Sequence, residues 1–107
     1  MSMSCKLVII GGAPVLQVQG DLDMATVATW RDHLLKAITA HRGAELLVDL
    51  DGVTSLDDTA LGVLLGAAGR AREGGGELVV VCTTPRLLER FATTRLDRAI
   101  DVRSRLA

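Results

Sequence analysis

Two apolar runs constrain the fold of this chain more than any other feature: "ELLVDL" at 45–50 and "ELVVVCT" at 77–83. Each is apolar on nearly every position rather than on every second one. That pattern belongs to strands of a parallel sheet covered on both faces by helices. The stretch between them, after a turn expected around Asp51 and Gly52, carries "TSLDDTALGVLLGAAGRA" at 54–71, a glycine-dotted helix that "GGG" at 74–76 terminates. Upstream, "CKLVII", "GGAP" and "VLQVQG" read as strand, turn and strand, with Leu16 and Val18 on one face and Gln17 and Gln19 on the other. This is a hairpin at or near a sheet edge. From Asp23 as N-cap, the residues Val27, Trp30, Leu34 and Ile38 recur at helical spacing up to His41, and Gly43 supplies the stop. Beyond the second run, Thr84 caps a helix with Pro85 in its first turn and Leu87, Leu88 and Phe91 along it, and "AIDV" closes with a short strand. The order is β-β-α-β-α-β-α-β: one α/β domain over residues 1–107, with a single mostly parallel central sheet, an N-terminal hairpin and helices packed against the sheet.

Composition narrows the function. Trp30 and Phe91 are the only aromatic residues, so stacking platforms for nucleobases or sugars are lacking. The net charge of -1 leaves no footprint for direct nucleic-acid binding. Charge is nonetheless polarised, net -4 over residues 1–69 and +3 over 70–107. The uncharged stretch Ala60–Gly69 is far shorter than the roughly 20 residues of a membrane span, and the apolar run Leu7–Ile10 is too short for a signal peptide. A cytoplasmic location is expected, with Cys5 and Cys82 as reduced, buried thiols. His33 and His41 form no metal spacing with the cysteines, no catalytic constellation presents itself, and no cofactor or metal is expected. "IIGG" lacks the glycine spacing of a dinucleotide loop. Arg86, Arg90, Arg95 and Arg98 read as a solvated helix face.

What remains is the acid-acid-hydroxyl cluster of Asp57, Asp58 and Thr59 at the start of the 54–71 helix. The helix N-terminus falls at the carboxyl edge of the sheet, where α/β folds usually hold ligands or reactive groups. Asp57 is placed to cap the helix, and the dipole favours both acids. Capping alone would explain these residue types. The helix body asks for more: Leu61, Leu64, Leu65 and Ala68 make one apolar face and Ala60, Val63 and Ala67 a second, and Gly62, Gly66 and Gly69 interrupt it. Such a helix is buried, or its outer face meets a partner. Glycines at these positions fit close backbone approach, either to the sheet or to another protein.

"GDLDMATV", "LLVDLDGVTSLDDTALGVLL", "GGELVVV" and "TPRLLERF", in this order and spacing, resemble the anti-sigma factor antagonists of bacteria, which have the STAS fold. The resemblance spans about Val8 to Val102. It implies a non-enzymatic switch in which Thr59 is the phosphoacceptor and Asp57 the preceding acid, with Asp21 and Asp23 bordering the same surface. It also implies a partner that is both anti-sigma factor and serine/threonine kinase, contacted through Asp21, Asp23, Asp57, Asp58, Thr59, Ala60, Val63 and Ala67. Unmodified, the domain would bind this partner and free a sigma factor; a phosphate on Thr59 adds about -1.5 to -2 charge beside two aspartates and would reverse binding. Asp58 stands where the family usually has serine, and Ala60 where it has glycine. Phosphorylation slower than in the family is the expectation. The alternative within the fold is a cytoplasmic STAS subunit of a phospholipid-trafficking ABC transporter, and a homodimer stays open.

Overall fold

The computed structural model describes residues 2–105. Strands β1 (Met3–Ile10) and β2 (Ala13–Leu22) form the hairpin, joined by Gly11 and Gly12 with φ of 58° and 83°. Two central residues with positive φ give the turn whose twist matches its strands, and glycine adopts it without strain. The antiparallel ladder runs from Met3–Gly20 to Ile10–Ala13 without a break.

Helix α1 (Val27–Ala40) starts later than Asp23 suggested. Thr26 is its N-cap, without a side-chain bond to the helix. Asp23 closes the preceding turn by accepting from the Ala25 N–H at 2.9 Å, and the buried Thr26 hydroxyl donates to the Asp21 carbonyl at 2.7 Å. Short polar side chains that bond their own backbone compete with the helix, which displaces its start.

Strand β3 (Glu45–Leu56) passes straight through Asp51 and Gly52, where a turn was expected. The glycine serves a close approach. A Cβ at Gly52 would stand 2.8 Å from the Val18 carbonyl oxygen of β2, and the β2–β3 register shifts nearby, between Gln17 and Gln19 and again between Gly20 and Asp21. Asp51 is held from the side, its carboxylate accepting from the Thr83 N–H at 2.6 Å. Helix α2 (Asp58–Glu73), strand β4 (Glu77–Val81), helix α3 (Pro85–Thr93), the four-residue helix α4 (Leu96–Ala99) and strand β5 (Asp101–Arg103) follow in order. Gly74 ends α2 and Pro85 opens α3, as read from the sequence. No local signal announced α4, which follows the left-handed Arg95 at φ 61°.

The sheet order is β1-β2-β3-β4-β5, and every pair after the first is parallel. Right-handed crossovers that always step in the same direction place every helix on the same face. The buried residues of all four helices accordingly share one core with Leu16, Val18, Val48, Leu50, Leu78 and Val80. This corrects the expectation that helices cover both faces. On the opposite face, Val15, Leu47, Val79 and Val81 form a small separate cluster, to which no helix contributes among the described residues. Val8 and Ala13 of the hairpin pack against it. Arg103 of β5 reaches across β4 to Glu45 of β3, at 3.0 and 3.2 Å, while also pairing with Asp101.

Candidate functional site

The carboxyl ends of β2 and β3 lie side by side, and the chain leaves them as the 23–26 turn and as α2. The Asp57 N–H donates to the Leu22 carbonyl at 3.0 Å, which ties the two exits together. Asp57 caps α2 as the sequence indicated: its carboxylate accepts from the Ala60 N–H at 2.9 Å, satisfying one of the free donors of the first turn. Asp58 and Thr59 then project from that turn, both exposed.

Although adjacent, the two side chains border different grooves. Thr59 lines a groove of about 370 Å³ between α1 and α2, together with Arg31, Leu35, Gly62, Gly66 and Arg70. Its hydroxyl donates to the Met24 sulfur at 3.5 Å, a long contact with a side chain that is itself 72% exposed. Asp58 faces the other way, into a groove between the α2 start and α3 lined by Ser55, Arg86, Leu87, Arg90 and Thr94. There it pairs with Arg90 at 2.6 Å. The Asp58 side chain is 90% exposed, so the pair contributes less than about 1 kcal/mol. Arg86 donates to the Thr54 carbonyl at 2.5 Å. Arg86 and Arg90 thus reach back to the end of β3 and the start of α2 instead of forming a merely solvated face.

Asp21 and Asp23 flank these groups in different ways. Asp21 accepts from the hydroxyls of Thr54 at 2.7 Å and Ser55 at 2.8 Å. The Thr54 and Ser55 hydrogen bonds favour the carboxylate and hold its pKa below the usual aspartate value. Asp23 shapes the turn that sets Met24 against Thr59. Met24 was missed in the sequence: a lone exposed methionine carries no periodic signal, and only the fold brings it to Thr59.

Ala60 lies beneath this surface, whereas Ala67 sits at the floor of the groove that Thr59 borders. They are 0% and 4% exposed, packed into the core, and the Trp30 indole N–H donates to the Ala60 carbonyl at 3.2 Å. Val63 is half-buried against the same core. The second apolar face of α2 is therefore largely packed within the chain, with Val63 and Ala67 left at the floor of the groove between α1 and α2. Gly62, Gly66 and Gly69 are explained by neither the sheet nor α1, since a Cβ at each would meet nothing within 4 Å. Cys82 is buried and Cys5 half-buried, and desolvation raises the Cys5 thiol to about 11.

A hairpin-led, one-sided α/β sheet with an acid-capped helix start at the end of β3 defines the class. Residues 4–107 match the STAS domain, and the chain belongs to that family. Within it, the chain is 30% identical over 87 residues to the anti-sigma-B factor antagonist of Bacillus subtilis (strain 168), covering 81% of this chain and 78% of that one. The anti-sigma-B factor antagonist of Listeria monocytogenes is 31% identical over the same length, covering 81% and 75%. Among solved structures, an anti-sigma factor antagonist from Mycobacterium paratuberculosis superimposes with a TM-score of 0.87 at 23% identity, covering 98% of this chain and 88% of that one. SpoIIAA in its unphosphorylated form gives 0.63 at 17% identity, covering 89% and 96%. These relatives are named for regulation, not for catalysis. No helix among the described residues is long and apolar enough to cross a membrane.

Proposed function

We propose that this chain is a cytoplasmic anti-sigma factor antagonist whose hold on an anti-sigma factor with serine/threonine kinase activity is reversed by phosphorylation at Thr59. The observation that carries the reading is the placement of Thr59: an exposed hydroxyl in the first turn of a capped helix, at the rim where two strand ends and two grooves meet. A phosphate there gains from the helix dipole, so the domain tolerates it without unfolding. The same charge, added beside Asp57 and Asp58, opposes any acidic or apolar partner surface that has to desolvate it. Asp21, Asp23 and the exposed Met24 complete the rim, Val63 and Ala67 lie at the floor of the groove, and Ala60 acts from beneath it as packing.

Asp58 modulates this switch. Its carboxylate is drawn towards Arg90 and away from the groove that Thr59 borders, yet it remains exposed to a docking kinase. Asp58→Ser is expected to raise the initial rate of Thr59 phosphorylation by the native kinase; an unchanged or lower rate removes Asp58 from this role. The reading as a whole is tested by purifying the tagged protein from its native cells, with mass spectrometry of co-purified proteins and of Thr59. Recovery of a kinase-type anti-sigma factor, lost with Thr59→Glu and kept with Thr59→Ala, is the expected result. Recovery of transporter subunits with unmodified Thr59 overturns it.

A further inference from the structure

The two edges of the sheet are unlike. β5 is three residues long, and both of its terminal side chains, Asp101 and Arg103, are charged and ion-paired. Short, charged edges resist pairing with another strand. β1 is eight residues long, has no proline and no bulge, carries one charge at Lys6, and among the described residues is bonded on one side only. Alternate residues of such a strand direct N–H and C=O groups away from β2. Its far half also exposes large apolar side chains: Leu7 at 39%, Ile9 at 59% and Ile10 at 38%.

We infer that β1 is a dimerisation edge, pairing antiparallel with β1 of a second copy about a two-fold axis at Leu7 and extending the five strands into a continuous ten-stranded sheet. The register follows from three requirements. Directly opposed residues must lie on the same face, so the axis passes through a residue and not between two, provided that both helical layers stay on one side. An axis at Lys6 would set two lysines face to face, which is unfavourable. An axis at Val8 would leave Met3, Ser4 and Cys5 outside the new ladder. At Leu7, the helix-side face pairs Leu7 with its copy and Cys5 with the partner's Ile9, while the opposite face sets Lys6 against the partner's Val8. Each exposed apolar residue gains an apolar or neutral neighbour, and the lysines are staggered.

The helices leave room for this arrangement. α1 lies over both β1 and β2. With strands about 4.8 Å apart, α1 and its copy would be separated by roughly 10 Å, a normal helix-packing distance. The candidate site stays open, because β1 meets the end of β2 that bears it only at Met3–Gly20, and the two sites would emerge at opposite ends of the joined sheet.

Two measurements test the inference. Analytical ultracentrifugation of the purified protein, from millimolar to micromolar, should show a reversible dimer that Leu7→Lys converts to a monomer with an unchanged circular dichroism spectrum. Oxidation tests the register: in a Cys5→Ser background, Leu7→Cys stands opposite itself within disulfide range and should cross-link in full, whereas Val8→Cys is separated from its copy by roughly 8 Å and should not. If Leu7→Lys fails to fold, the cross-linking pair decides. A single-chain mass at every concentration, a dimer that survives in folded Leu7→Lys, or equal cross-linking of the two cysteine variants overturns the proposal.

Discussion

The three outward glycines of α2 allow a quantitative test of what that helix surface is for. At Gly62, Gly66 and Gly69 an added methyl meets no atom within 4 Å, so replacement by alanine costs nothing in packing. Glycine in a helix interior is about 0.8–1 kcal/mol less favourable than alanine, because it has more backbone freedom to lose on folding. The double variant Gly62→Ala/Gly66→Ala should therefore stabilise the domain by about 1.5–2 kcal/mol. For a chain of 107 residues this corresponds to a rise in Tm of roughly 6–10 °C. Thermal unfolding followed by circular dichroism, repeated as a urea titration, measures the change at two independent midpoints. An unchanged or lowered Tm refutes the reasoning, since it would mean that the methyls meet something or that α2 is not helical there. A gain in stability accompanied by weaker binding to the native partner would show that these glycines serve the surface and not the core.

Further expectations follow from the same geometry. Asp57→Ala should lower stability by about 1 kcal/mol through loss of the cap, and Asp57→Asn should restore most of it, as read from urea midpoints. Asp21 has a folded-state pKa below its unfolded value, so its contribution is present above the ordinary aspartate pKa of about 3.9 and is lost as pH falls through the folded value. The stability gap between the wild type and Asp21→Asn should accordingly be constant from neutral pH to about pH 5 and should shrink below it; a gap independent of pH down to 3 would contradict the hydrogen-bonded carboxylate. With its thiol raised to about 11, Cys5 should react with iodoacetamide at pH 8 on the order of a hundredfold more slowly than an unperturbed cysteine, checked by intact mass against free cysteine.

The sequence announced most of this fold because its signals are local. The alternation of Leu16 and Val18 with Gln17 and Gln19, the all-apolar runs of β3 and β4, Asp57 as cap, Gly74 as stop and Pro85 as start each act within a few residues. Where the reading failed, a local signal was used for a distant contact. Asp51 and Gly52 spell a turn, but the glycine lets β3 pass close to Val18 and the aspartate binds Thr83. Asp23 spells a cap, but it closes a turn ahead of Thr26. The site was legible as a cluster of three residues and no further. Met24, Arg86 and Arg90 come from segments 30 or more residues away from their partners in the chain, and no periodicity records which way a first-turn side chain points. The partition of α2 between core and surface was equally hidden, since Ala60 and Gly62 look alike in sequence and only α1 separates them.

The strand order described above also governs how the chain can assemble. Each strand after the hairpin pairs with the one synthesised just before it, so no strand has to insert between two already joined. The sheet can grow by addition at a single moving edge, from β2 through β5, with each helix closing over the step just completed. Loop closures stay short, of the length of one helix and its turns, which limits the entropic barrier at every step. On a ribosome the hairpin and α1 emerge first and offer a template for β3, so folding can follow synthesis in order from the N-terminus.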